Sequence, residues 1–533
     1  MSSETISLAQ PADASDAGDR LSALADHLTD RMNPILVKEV RQALKSRQFV
    51  VTFMLLLVIA WLVSAGAAIF SPNAMEFGSA GNQLFLIYFG ILAFAVIVIV
   101  PFGAHRSMLA ERDQNTFELL SISALTPRQI VNGKLLSAMV QSFVYYSAIT
   151  PFIAFASLLQ GFDLPLSLFL LAIAFGWSIC VSMFALMLST LAQKRQIQAA
   201  NSMGMFFLLM FQLYMTAGMM FQFSFVGVPF DDPAFWWSVG CVVVAAGSYT
   251  LLAQQVAVSR LTFESGNRSS GIRLILAAQF WLFCGAVIAN SLWTGLSISS
   301  RDASELLIFV AFHWSIAGTY AATEIDWLSR RLRRQLPRNA LLRLLFVPWM
   351  PGGARGLLWM LLHVSAILAA AFLFDWDANW FPTFVLATCC YVVFLTGLGA
   401  AITRWLRSVT PSFRPAHGRV LILIFAVAIS VTPLIVRALS PSPMSERFHM
   451  IDLASPFMTL PRLIEGRTAI AANDPMRNQI LIALCAAAGL AVLANGRAIF
   501  NGISEVVSQK PDEPLDASLQ ALQATSSPSQ SDR

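Results

Sequence analysis

Long apolar runs separated by short polar segments pattern this chain. Twelve runs stand at residues 50–70, 83–102, 135–159, 167–191, 203–225, 235–259, 274–296, 306–323, 357–374, 383–402, 420–435 and 479–494. A helix of about 20 apolar residues crosses the hydrocarbon core of a bilayer, and a helix satisfies its own backbone polar groups there. The pattern therefore predicts an all-α, polytopic membrane protein with about twelve transmembrane helices. The eighth, eleventh and twelfth runs are short or interrupted. Pro151 and Pro433 fall inside the third and eleventh and predict kinks.

Composition agrees with the pattern. Of 533 residues, 56% are hydrophobic and 12% charged, where soluble domains carry roughly 25% charged residues. An ordinary soluble enzyme and a disordered protein are both excluded. The net charge of +5 reads as loop charge and not as a nucleic-acid surface. With the N-terminus inside, alternating loops place 29 of the 35 Lys and Arg residues on the inner side. The other six are Arg301, Arg437, Arg447, Arg462, Arg467 and Arg477. This asymmetry predicts both termini in the cytoplasm, and the location expected is the plasma (bacterial-type inner) membrane. Trp236, Trp237, Trp376 and Trp380 fall at the expected outer boundaries, where indole prefers the interface. The six cysteines lie inside apolar runs and the histidines are scattered, so neither a disulfide framework nor a metal or cofactor site is expected.

The two halves share a loop rhythm. A basic segment leads into runs one and seven, a short outer loop follows each, and a long inner loop (103–134 and 324–355) follows runs two and eight. That is a parallel six-plus-six arrangement. The organisation expected is a polar tail over 1–30, a first six-helix half over 31–273, a second over 274–500, and a flexible tail over 501–533. The first 30 residues carry no apolar core ahead of a small-residue cleavage site, so no cleavable signal peptide is expected.

No stretch matches G-x-x-x-x-G-K-[ST], the loop that cradles ATP phosphates, so any ATP would be bound by another chain. The apolar runs hold essentially no Asp, Glu, Lys or Arg, which argues against a proton- or ion-coupled relay within the membrane. Gln141, Tyr145, Tyr146 and Gln212 are candidate pathway residues; such groups more commonly bond neighbouring helices.

The inner loop after run two is the most informative segment. Asn115 followed by Glu118 predicts a short helix from Thr116, carrying Phe117, Leu119 and Leu120. Thr126-Pro127-Arg128-Gln129 predicts a second capping box, with Pro at the first helical position, opening a helix that runs straight into span three. A partner that moved the short helix would move span three as a lever.

This segment resembles the loop of the ABC-2 type permeases, the membrane subunits of a class of ATP-driven transporters. The family's acidic residue, Gly-Thr, Glu-Leu-Leu, Thr-Pro and Gly-Lys-Leu correspond to Glu111, Asn115-Thr116, Glu118-Leu119-Leu120, Thr126-Pro127 and Gly133-Lys134-Leu135. Asn115 replaces the family's Gly; Asn tolerates left-handed backbone better than most residues. The segment NPILVKEVRQALKSRQFV resembles the family's basic entry helix through Asn33-Pro34, Lys38-Glu39, Arg41 and Ser46-Arg47. The resemblance covers about residues 30–270. It implies that the entry helix lies along the inner membrane surface and that the loop helix docks on a soluble ATP-binding cassette ATPase subunit. It also implies a permease, not an enzyme, and an exporter. A true duplication would let one copy serve as the whole permease; otherwise a second copy or a related permease chain completes it. A secondary transporter and a non-transporting membrane scaffold are the competing classes. The second inner loop, 324–355, has no such motif. It reads as topology-fixing charge, an anionic-lipid-binding helix or a degenerate coupling element.

Overall fold

The computed structural model describes residues 34–508 apart from 71–79, 114–125, 160, 192–194, 264–265, 295–299, 327, 335, 338, 374–375, 377, 411, 440–447, 465–469 and 471–473. The described residues are helical, without a strand, and include twelve helices long and apolar enough to cross a membrane. Each expected run falls in one of them to within a few residues. The chain is an integral, all-α membrane protein.

Two units divide it, Met1–Leu261 and Thr262–Arg533, with six spans each. In the first, the entry helix α1 (Pro34–Leu44) precedes α2 (Arg47–Phe70). Ser46 opens α2 by accepting from the Phe49 N–H at 3.1 Å. The second span, α3, comprises Ala80–Ala93, a π-helical segment Phe94–Ile99, and Val100–Asp113. Then come α4 (Pro127–Ser157), α5 (Leu164–Leu191), α6 (Arg195–Val226) and α7 (Pro233–Leu261). The core gathers round α3, where Phe85, Tyr88, Leu92, Val96 and Val100 are buried against Tyr145 and Ile149 of α4 and Met183 and Leu186 of α5. Phe143, Trp61 and Phe207 point outward and are exposed, as lipid-facing side chains are.

The π-helical segment was not legible in the apolar run FAVIVI. Such a segment interrupts the usual i to i+4 ladder. Ser178 of α5 donates to the Val96 carbonyl at 2.6 Å and meets Ser142 of α4 at 3.1 Å. Three helices are thereby stitched at one level. Lower down, His105, buried on α3, bonds the Ala185 carbonyl at 3.0 Å and Ser202 at 3.3 Å.

The second unit holds α8 (Ser270–Thr294), α9 (Ser300–Ala322), the short α10 (Arg330–Arg333) and α11 (Ala340–Phe346), then α12 (Gly353–Leu373), α13 (Phe381–Val409) and α14 (Pro415–Leu439). After a 3-10 turn at Met450–Ala454 come the short α15 (Pro456–Leu463) and the last span, α16 (Pro475–Ser508). Residues 262–273, which the sequence reading grouped with the first half, bond into this unit: Ser269 and Arg273 both reach Glu324 at 2.7 Å. Helix α16 continues to Ser508, past residue 501, where a flexible tail was expected to begin. Val506 is buried there against Leu328, Leu332 and Val347, so the inner loop 324–355 has a core of its own.

Helices α9 and α12 approach at backbone contact. A Cβ on Gly356 would stand 2.2 Å from the Ala321 carbonyl oxygen, and one on Gly353 2.5 Å from that of Ala322. Small residues permit such approaches in membranes. Gly356→Ala is expected to push the pair apart and cost about 1–3 kcal/mol, read as a lower midpoint in denaturing-detergent unfolding. Gly285→Ala, with open space around the added methyl, is the matched control and should leave the midpoint in place.

Candidate functional site

Three residues singled out separately in the sequence meet in the first unit. Lys134, in the second turn of α4, places its ammonium 3.2 Å from Glu39 of α1 and 2.9 Å from Glu111 near the end of α3. Its side chain is 2% exposed. One buried cation thus fastens the entry helix, the end of the second span and the start of the third. The capping box fixes the register that brings it there. Thr126 Oγ1 accepts from the Gln129 N–H at 3.3 Å, and the Thr126 N–H donates to Gln129 Oε1 at 2.8 Å, with Pro127 at the first helical position. Two turns on, Lys134 faces α1 and α3. Gln254 of α7 donates to Asn132 alongside.

The rest of α1 presents its charges elsewhere. Lys38 and Arg41 are exposed, as is Arg47 at the start of α2. Pro34 opens α1. Asn33, and the loop residues Asn115, Thr116, Phe117, Glu118, Leu119 and Leu120, lie outside the described residues. The coupling helix expected there is bounded by what is seen on either side: Glu111 and Asp113 close α3, and Thr126 caps α4.

The candidate pathway residues are spent on different neighbours. Tyr145 OH meets Thr52 of α2 at 2.7 Å, and its ring packs on Phe49 and Phe53. Tyr146 OH donates to the Leu171 carbonyl of α5 at 2.8 Å. Gln212 of α6 accepts from the Trp177 indole N–H at 3.3 Å, and Gln141 donates to the Ser137 carbonyl of its own helix at 3.4 Å. All but that of Gln141 join helix to helix.

Ionisable residues are more closely tied to the spans than the apolar runs suggested. Lys134, Arg273, Arg355, Arg404 and Glu505 all lie within the long helices, which overrun the apolar runs at one end of each unit. We call this the basic end. In the second unit, Arg273 is 1% exposed. It donates to Glu324 at 2.7 Å and to the carbonyls of Pro348, Met350 and Gly352 at 2.9, 2.6 and 2.9 Å. Arg355 pairs with Glu505 of α16 at 3.0 Å. The sequence signal for these clusters was the placement of single charges just outside apolar runs, at matching depth.

At the other end of the second unit, Asp452 is buried and paired with Arg437, and accepts from the His449 N–H at 2.8 Å. Tyr391 of α13 donates to the Leu453 carbonyl at 2.8 Å. The turn Met450–Ala454 is thereby bonded to α13 and α14. In the first unit that end carries Phe169, Phe230, Phe235 and Trp236 in mutual ring contact, and the Trp236 N–H donates to the Phe230 carbonyl at 2.8 Å.

No curated protein matches the chain, and no solved structure does. Residues 33–228, which run from the approach to α1 to just past α6 and contain Glu39, Glu111 and Lys134, match the family model described as ABC-2 family transporter protein. Over that span the chain is similar to the ABC-2 family of transporter proteins.

Proposed function

We propose that this chain is the permease of an ATP-driven exporter, worked by a separate ATP-binding cassette subunit that docks at its basic end. The observation that carries the reading is the Lys134 clamp. It makes α1, the end of α3 and the start of α4 one mechanical body. The twelve residues between Asp113 and Thr126 hold the family's Glu-Leu-Leu sequence. A partner pressing on them pushes against that body. Helix α4 has 31 residues, about 46 Å at the usual rise, so force applied at its capped start is delivered across the membrane as rigid-helix movement. In this reading the basic end is cytoplasmic, as the charge asymmetry supports, and the protein sits in the plasma membrane.

The two units give the reading its stoichiometric form. The first carries the family's loop, and the second carries a folded inner loop with its own core. A single chain then supplies two unlike halves, and the ATPase is engaged chiefly through the first.

The test is variant-dependent binding. Glu118→Arg, and the pair Leu119→Arg with Leu120→Arg, are expected to lose a copurifying ATPase by at least tenfold, since a reversed charge or a charge placed in an apolar contact at the interface costs upward of about 1.4 kcal/mol. Their unfolding midpoints should equal that of the wild type. Equal ATPase recovery from all three proteins would remove the loop from the coupling path.

A further inference from the structure

The short helix α11, in the inner loop of the second unit, is turned inside out. Leu341, Leu342, Leu344, Leu345 and Phe346 are 44–73% exposed, while Arg343, the charged residue of the helix, is buried. The five exposed side chains cover an arc of about 200° around the helix. Arg343 and Val347 take the remaining side, and Val347 is buried there with Leu328, Leu332 and Val506. Helix α1 of the first unit has the opposite polarity. Its Lys38, Arg41 and Gln42 are exposed, and its Val37, Val40 and Leu44 are half-buried. The surface of α1 suits water; the surface of α11 does not.

The chain just past α11 is fixed at the level where two spans begin. Arg273, near the start of α8, donates to the carbonyls of Pro348, Met350 and Gly352 at 2.9, 2.6 and 2.9 Å. Ser270, at the first position of α8, donates to the Trp349 carbonyl at 2.5 Å. Leu274, next to Arg273, is already exposed, as a lipid-facing residue of that span is. The span α12 then opens at Gly353. Helix α11 has seven residues and is about 10 Å long. No part of it stands far from the span ends. Interfacial helices lie at that depth, with an apolar face about 5–10 Å into the boundary between headgroups and acyl chains.

The make-up of the face distinguishes lipid from a soluble partner. A protein footprint has an apolar centre and a polar rim. The exposed arc of α11 has no polar side chain within it, which is the character of a surface solvated by acyl chains. Earlier in the same loop, Arg331 and Arg334 are exposed instead, as residues facing headgroups and water are.

We infer that α11 is an interfacial helix, embedded among the acyl chains of the leaflet at the basic end through Leu341, Leu342, Leu344, Leu345 and Phe346. It anchors the inner loop of the second unit to the bilayer, and its apolar face is closed to soluble partners. The inference is independent of ATPase docking on the first unit.

Fluorescence quenching in vesicles tests this. Leu342→Cys and Leu345→Cys are made singly in the full chain, with the six native cysteines changed to alanine, and each is labelled with bimane. Arg331→Cys, labelled in the same way, is the reference. In phosphatidylcholine vesicles, a nitroxide on the lipid acyl chain should quench the labels at 342 and 345 about threefold more than the label at 331, and aqueous iodide should show the reverse order. The wild-type chain gives a second reading that no substitution can disturb. In vesicles of phosphatidylcholine with a photoreactive diazirine on its acyl chain, the tryptic peptide Asn339–Arg343 should take up lipid label. Iodide quenching at 342 and 345 as strong as at 331, without the excess from lipid nitroxide, would overturn the proposal. So would an unlabelled Asn339–Arg343 peptide. Shielding from iodide only while a soluble subunit is bound would assign the face to a protein partner and overturn the lipid assignment.

Discussion

Lys134→Met should cost up to about 3–5 kcal/mol, because it leaves a buried and a half-buried carboxylate side by side with their shared cation gone. Glu39 and Glu111 approach the ammonium at 3.2 and 2.9 Å, with side chains 11% and 17% exposed. Removing one carboxylate is a smaller change, since Lys134 keeps the other. Glu39→Gln is therefore expected to cost under half as much. The triple variant Glu39→Gln, Glu111→Gln, Lys134→Met buries no ion at all and should recover most of the loss, as buried ion pairs replaced whole commonly do. Unfolding by denaturing detergent in mixed micelles gives the order: wild type near the triple variant, then Glu39→Gln, then Lys134→Met. A Lys134→Met protein as stable as wild type would show that the clamp holds nothing together.

Arg273→Met should cost at least as much in the second unit. Arg273 anchors the inner loop to α8, and its loss leaves the Glu324 carboxylate and the carbonyls of Pro348, Met350 and Gly352 without their donor. A stranded buried charge accounts for about 3–5 kcal/mol, and each unpaired carbonyl adds up to about 1–3 kcal/mol. Glu324 retains Ser269 at 2.7 Å and the Gly352 N–H at 3.1 Å, which keeps the total below the sum. Arg273→Lys restores the charge but has no fork to reach three carbonyls, so it should recover less than half. Limited proteolysis is the sensitive readout: cleavage within 324–355 should rise steeply in Arg273→Met and modestly in Arg273→Lys.

The twelve spans could be read from the sequence because each needs about 20 apolar residues, and few other structures demand that. Their ends were less legible. The tenth run stops at residue 402, yet α13 continues to Val409; the twelfth stops at 494, yet α16 continues to Ser508. In both the extension is helical because its polar residues are bonded across helices. Asn495, fully buried, donates to the Gly397 carbonyl at 2.8 Å, and Arg407 reaches the residues that follow α9. Charges just past an apolar run look like loop until their partners are known. The same limit applies to the site. Glu39, Glu111 and Lys134 were each marked by the family's pattern, but nothing local joins residues so far apart in the chain. The Thr126 capping box was fully legible, since all its parts lie within four residues. The π-helical segment in α3 was not, since its cause is tertiary: Ser178 supplies a donor to Val96 from another helix.

The account rests on a permease driven by a separate ATPase, and purification of the tagged wild-type chain tests it most directly. Extracted from its own membrane in mild detergent, the folded chain should bring with it a soluble nucleotide-binding subunit in fixed ratio. ATP hydrolysis should follow the two through size exclusion. A chain that elutes folded, with neither such a subunit nor ATP hydrolysis, would contradict the account.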